Sequence, residues 1–270
     1  MLRSLQTHWP EYLMEAAELG LFMVSAGLFA TLLYAETSSA VSLIPNLFLR
    51  GLLMGIAMGV SAIVIIYSPW GKRSGAHFNP AVTLAFYRLG KLAAWDAFFY
   101  VLFQFLGGLV GVILVAGILG EAFTKAPVTY IVTVPGSWGW LGALVAEAMM
   151  AFSLMAMVLV VSNHARLHQF TGIFAGILVA IFITLAAPIS GMSINPARTF
   201  ASGFPAHIWT AFWIYYFAPP LAMLTAAEIY QKATRRSPRN ICGKLCPNTE
   251  TPCPCIDCPC GEEAPGTNRF

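Results

Sequence analysis

Two short segments of this 270-residue chain carry residue types that could handle a small molecule. Ser74-Gly75-Ala76-His77-Phe78-Asn79-Pro80-Ala81-Val82-Thr83-Leu84-Ala85 and Ser190-Gly191-Met192-Ser193-Ile194-Asn195-Pro196-Ala197-Arg198-Thr199-Phe200-Ala201 share one frame, S-G-x-x-x-N-P-A-x-T-x-A, 116 positions apart (79 to 195). Asn is a favoured helix N-cap, and Pro suits the first helical position, where the missing N–H would have no acceptor. Asn79 with Pro80 and Ala81, and Asn195 with Pro196 and Ala197, therefore predict two short helices, near 79–88 and 195–204. Apolar sequence continues for only about ten positions after each start, half of what a bilayer span needs. Such segments must be re-entrant and buried in protein or against a water-filled cavity. The positive ends of two helix dipoles then meet near the midplane, with two Asn amides facing one point. A water molecule there would give its oxygen to both amides, and its hydrogens would point away in opposite directions. That order opposes a continuous proton-conducting chain of waters, and the converging positive potential repels cations.

A second concentration of chemistry lies at the C-terminus. All six cysteines, Cys242, Cys246, Cys253, Cys255, Cys258 and Cys260, fall within nineteen residues, and Cys255 to Cys258 is the only C-x-x-C. As thiolates they could hold a soft metal such as Zn²⁺ or Cu(I). Palmitoylation near a membrane and a disordered tail without ligand compete with that reading. His164 and His168 have an i, i+4 spacing that suits a metal or a pH gate as well as a solvated loop. No Ser-His-Asp set, phosphate loop or pair of catalytic carboxylates is present, so an enzyme is not expected.

The elements that must position these residues follow from composition. The chain is 58% hydrophobic and only 10% charged, with a mean hydropathy of +0.71, whereas a soluble domain is about 25% charged. It reads as an integral membrane protein. The net charge of +3 is too small and scattered for nucleic-acid binding. Glu11, Glu15 and Glu18 interrupt the start and no A-x-A site follows, so a cleaved signal is not predicted. Six stretches are long and apolar enough to span, at 11–34, 46–67, 93–117, 138–161, 170–188 and 207–231. The chain then divides into a first half, 1–117, a connecting loop, 118–137, a second half, 138–231, and a Cys-rich tail, 232–270. Each motif follows the second span of a three-span half. An odd number of spans reverses the second half, so the motifs should enter the membrane from opposite faces. Twelve basic residues fall on one face when both termini are cytoplasmic, among them Lys72, Arg73, Lys91, Arg236 and Arg269; only Arg50 and Lys125 fall on the other. The small-residue runs Gly51-x-x-x-Gly55-x-x-x-Gly59, Gly107-Gly108-x-x-Gly111 and Gly172-x-x-x-Gly176 read as close helix contacts.

The paired motifs in inverted halves resemble those of the aquaporins, within the major intrinsic protein family, over roughly residues 8–231. The resemblance implies an all-α membrane fold of six transmembrane helices and two re-entrant half-helices in an inverted repeat. It gives Glu18, Glu147 and His77 the task of bracing the re-entrant loops, with His77 hydrogen-bonded in the cytoplasmic vestibule. It places Arg198 at an outer constriction with Met192, Ile183 and a residue of the Met58-Gly59 step, either side chain being compatible with the frame. Water-selective members often carry His where this chain has Ile183. Thr199 stands where glycerol-conducting members tend to have Asp, and Tyr215-Tyr216 matches the water-channel branch. It further implies a homotetramer in the lipid bilayer, at the plasma (cell inner) membrane, passing water and small neutral solutes with no cofactor. The alternatives are a facilitator for glycerol-like solutes, and a non-conducting scaffold or metal sensor built around the Cys tail.

Overall fold

A computed structural model describes residues 1–235, 237–248, 250–251, 254–257 and 260. Among the residues singled out above, Arg236, Cys253, Cys258 and Arg269 lie outside the described residues. Those described are helical or irregular, with no strand. The helices of nine residues or more are α1 (Leu2–Tyr34), α2 (Leu47–Tyr67), α3 (Pro80–Arg88), α4 (Ala94–Leu119), α5 (Gly139–Ser162), α6 (Thr171–Ser190), α7 (Pro196–Ala206) and α8 (Trp213–Thr234).

Five of these, α1, α2, α4, α5 and α6, are long and apolar enough to cross a membrane by themselves. At about 1.5 Å per residue α8 has the length. Its opening, Trp213-Ile-Tyr-Tyr-Phe-Ala-Pro-Pro, and the charged Glu228 and Lys232 lower its hydropathy. It also begins at Trp213, six residues later than the sequence suggests, because Ile208–Phe212 is turn-like. The short helices α3 and α7 start at the two Asn-Pro pairs.

The halves interlock. α1 packs on α4 and α5 on α8, equivalent pairs in the two halves, while α2 and α6 pack across the centre. Small residues set these distances: a Cβ on Gly59 would lie 2.6 Å from the Gly176 carbonyl oxygen, and one on Gly107 would strike the Ala16 backbone. The half-helices cross over. α7 packs on α4 of the first half and α3 on α8 of the second, more extensively than on the last span of their own half. Each re-entrant helix therefore takes much of its packing from the other half. Outward faces carry large apolar side chains, such as Val64, Leu106, Val110, Met149 and Leu221, as lipid contact requires.

Candidate functional site

Each re-entrant loop is an irregular strand of main chain that needs acceptors for its inward N–H groups, and the two halves solve this in the same way. Gly75, Ala76 and Phe78 have φ of 101°, 55° and 29°; Gly191, Met192 and Ile194, 116 positions on, have 76°, 47° and 49°. Left-handed backbone at four non-glycine residues is strained and must be held by its surroundings. Glu147 holds the second loop: its carboxylate accepts from Ser190 Oγ (2.7 Å), Ser193 N (2.9 Å) and Ile194 N (2.6 Å). In the first half two carboxylates share the work. Glu15 accepts from His77 N (2.9 Å) and Phe78 N (2.7 Å), and Glu18 accepts from Ser74 Oγ (2.7 Å). Glu18 is the carboxylate expected to brace this loop, yet it reaches only the Ser74 hydroxyl. The backbone N–H groups go to Glu15, one turn nearer the N-terminus. The i, i+4, i+7 spacing of Glu11, Glu15 and Glu18 on one helix face carried that signal. Two tyrosines complete the frame: Tyr100 donates to the Ser74 carbonyl and Tyr215 to the Ser190 carbonyl, both at 2.6 Å.

The loops deliver the two asparagines to one place. Asn79 Oδ1 caps α3 by accepting from Ala81 N (2.9 Å), and Asn195 Oδ1 caps α7 by accepting from Ala197 N (3.0 Å) and Arg198 N (3.2 Å). Each amide nitrogen also donates across to the other half, Asn79 Nδ2 to the Ile194 carbonyl and Asn195 Nδ2 to the Phe78 carbonyl, both at 2.8 Å. An Asn amide has two N–H groups. One of each is spent locking the halves together, which leaves the other to address a molecule between them. Pro80, Ala81, Pro196 and Ala197 are buried in the first turns behind the caps.

A cavity of about 370 Å³ runs past both asparagines. Met58, His77, Asn79, Ile183, Met192, Asn195 and Arg198 line it, with Phe22, Met54, Phe78, Val128 and Ile131. On α2, Met58 lines the cavity, whereas Gly59 faces the α6 backbone and is not among the lining residues. Met54, one turn earlier, takes the neighbouring place. The connecting segment also contributes. Pro127, Val128, Ile131 and Val132 fold over one mouth, and Arg198 Nη1 donates to the Ile131 carbonyl at 2.9 Å. That carbonyl fixes the guanidinium of a cavity whose lining also includes the apolar side chains of Met192 and Ile183. Thr199 lies behind the cavity wall, bonded to Thr133 Oγ1 (2.9 Å) and Ser193 Oγ.

His77 is buried between the cavity and the half-helix. Its Nδ1 meets Thr83 Oγ1 (3.2 Å), its Nε2 meets the Gly243 carbonyl (3.0 Å), and its ring stacks on Phe86. His164 and His168 bond to their own loop, through Arg166 N and the Ala165 carbonyl. Of the tail cysteines, Cys253 and Cys258 lie outside the described residues. Cys242 and Cys260 are joined in a disulfide, and disulfide sulfurs are not thiolate ligands. No group of three metal-ligating side chains comes together among the described residues. The tail is also not remote from the cavity, since Leu245 lines it.

Two half-helices meeting head to head around a lined cavity, inside a bundle of apolar spans, define an integral membrane protein of channel architecture. The family model described as Major intrinsic protein matches residues 3–230. The chain belongs to that family, whose members are passive channels and not enzymes. Its relatives include a probable aquaporin NIP-type of Nicotiana alata, 35% identical over 65% of this chain and 63% of that protein. A probable aquaporin AqpM of Archaeoglobus fulgidus is 33% identical over 66% of this chain and 74% of that one. The chain spans about three fifths of the length of the plant relatives. Among solved structures, the aquaglyceroporin from Plasmodium falciparum shares the fold, with a TM-score of 0.67, 23% identity, and coverage of 84% of this chain and 97% of that one.

Proposed function

We propose that this chain is a passive channel that conducts water in single file, excludes ions and protons, and passes small uncharged solutes modestly. The observation that carries the reading is the reciprocal asparagine pair. Asn79 and Asn195 sit at the N-termini of two opposed half-helices, bordering one continuous cavity, with Arg198 on the same wall. Converging helix dipoles and a fixed guanidinium oppose cations and hydronium, and two amide donors orient a water between them. Arg is also the residue that offers fixed N–H donors to a passing solute while staying charged.

A facilitator for glycerol-like solutes is the second reading, favoured by the apolar Ile183 and Met192 that line the same cavity as Arg198. A hydrocarbon edge would meet side chains of its own kind there, while its hydroxyls face the guanidinium. The aquaporin and aquaglyceroporin relatives support both. We further propose a homotetramer in a plasma or inner membrane with both termini cytoplasmic, in keeping with the basic residues on the face that holds the tail.

Stopped-flow swelling and shrinking of proteoliposomes under reducing conditions tests this. Water flow should exceed that of empty vesicles severalfold, with a low activation energy, and glycerol should move more slowly than water. Water permeability equal to that of the bare bilayer would refute conduction. Glycerol flow as fast as water flow would favour the second reading.

A further inference from the structure

The tail leaves α8 at Thr234 and turns back over the basic face. We propose that Ile241–Cys246 is an autoinhibitory plug of the channel mouth on that face, with Leu245 as its stopper and the Cys242–Cys260 disulfide as its latch. This rests on the cavity being a conduction path.

The plug is seated by both side chains and main chain. Ile241 and Leu245 are buried in the same apolar cluster as Ile66, Val82, Val158 and Tyr230. Leu245, 4% exposed, is among the side chains that border the cavity itself. Four contacts fix it. Leu245 N donates to the Gly75 carbonyl (2.9 Å), and the Gly243 carbonyl meets His77 Nε2 (3.0 Å). Cys242 N donates to Asn163 Oδ1 (2.9 Å), and Lys244 Nζ donates to the Lys72 carbonyl (3.1 Å). Gly75 and His77 belong to the first half's re-entrant loop, and Asn163 to the loop between α5 and α6. The segment therefore crosses the mouth from one half to the other. A loose cover would not bury a leucine beside the pore lining and bond to the loop that presents Asn79.

The latch has a reason to be reversible. The disulfide closes a loop of 18 positions between Cys242, at the plug, and Cys260. A cross-link over a loop of that size favours the folded tail by on the order of a hundredfold, and the folded tail is held to the body at both ends of the loop, by Cys242 N on Asn163 Oδ1 and Ile256 N on the Lys91 carbonyl. Tail and plug lie on the face with most of the Lys and Arg, and that face belongs to the cytoplasm by the charge rule. Cytosolic disulfides are rare and, where found, are transient or redox-sensing. A dithiol reductant opens the latch by ordinary exchange. Its thiolate attacks one sulfur of the pair and forms a mixed disulfide, and its second thiol then releases the protein sulfur. Two electrons and two protons pass to Cys242 and Cys260, and the reductant leaves as its own disulfide. The channel is thus shut under oxidising conditions and released by reduction.

The test is water flow through the full chain in proteoliposomes, oxidised and then treated with a membrane-permeant dithiol. Wild-type protein should gain severalfold on reduction. Leu245→Ala, which leaves the latch intact but shortens the stopper, should conduct when oxidised. The double variant Cys242→Ser/Cys260→Ser should conduct from the start and ignore the dithiol. Oxidised wild type that already flows as fast as reduced protein and as Leu245→Ala would overturn the plug. Dithiol activation that persists in the double variant would overturn this latch. If every protein stays at the bare-bilayer rate in both states, the channel reading itself fails, an outcome distinct from the other two.

Discussion

Replacing Glu15 should damage this protein far more than replacing Glu18, although the two residues lie one turn apart on α1. Glu15→Ala strips the acceptor from His77 N, Phe78 N and Gln104 Nε2, bonded at 2.9, 2.7 and 2.6 Å. Gln104 keeps Thr83 Oγ1 as a partner, but the two backbone N–H groups sit in a buried loop at strained φ. Hydrogen bonds to a charged acceptor contribute about 1.5–3 kcal/mol each, so these two alone amount to about 3–6 kcal/mol. Glu18→Ala removes one bond, from Ser74 Oγ, together with a buried carboxylate oxygen, Oε2, that has no partner among the described residues. Losing that oxygen relieves a desolvation cost, and the net effect should be about 0–2 kcal/mol. At roughly 2–4 °C per kcal/mol, Glu15→Ala should melt at least about 6 °C below wild type in detergent, and Glu18→Ala close to it. Glu15→Gln keeps one acceptor oxygen and should fall between. Flux should follow the same order in reduced protein, because the Phe78 carbonyl that Glu15 helps to place also receives the Asn195 amide. Equal losses for Glu15→Ala and Glu18→Ala, or an unchanged Glu15→Ala, would refute the division of labour drawn from these distances.

Arg198→Val should raise uptake of small neutral solutes and weaken ion exclusion, measured by swelling in glycerol and by a pH-sensitive dye; unchanged values in both would mean that the guanidinium does not govern the constriction. Gly59→Ala should cost about 1–3 kcal/mol by forcing a Cβ against the Gly176 carbonyl. Gly51→Ala should not, since a Cβ there meets nothing within 4 Å; melting temperatures that rank the two the other way would contradict the α2–α6 packing. A variant with all six cysteines changed to Ser should conduct water indifferently to mercurials, because residues 1–241 contain no Cys. Mercury inhibition of that variant would place a reactive group where none is expected. In wild-type protein, burial holds the Cys246 thiol above its ordinary pKa, so slow alkylation is expected there until the tail is released.

The sequence by itself determined the membrane class, the helical architecture and the place of the half-helices. Hydropathy over twenty-residue windows and the capping chemistry of Asn-Pro are local properties, and they needed no partner to be legible. The repeat of twelve positions also made Asn79, Asn195 and Arg198 stand out before any geometry. What the sequence left open depended on contacts between distant segments. Helix periodicity places both Met58 and Gly59 on α2, and only the packing of Gly59 against the α6 backbone turns Met58 to the cavity. The carboxylate that serves the first loop is set by the depth at which α1 meets that loop, so Glu15 takes the backbone bonds that motif matching gave to Glu18. The division of one role between two carboxylates has no counterpart in the second half, where Glu147 does both, and no alignment of the repeat could reveal it. The largest divergence is the tail. Composition describes it as a charged, Cys-rich extension beyond the last span, and nothing local in Ile241–Cys246 says where it goes. Tertiary structure decided that, because the seat for Leu245 is assembled from α2, α3, α5 and the loop at Gly75, which are joined only when the two halves have closed on each other.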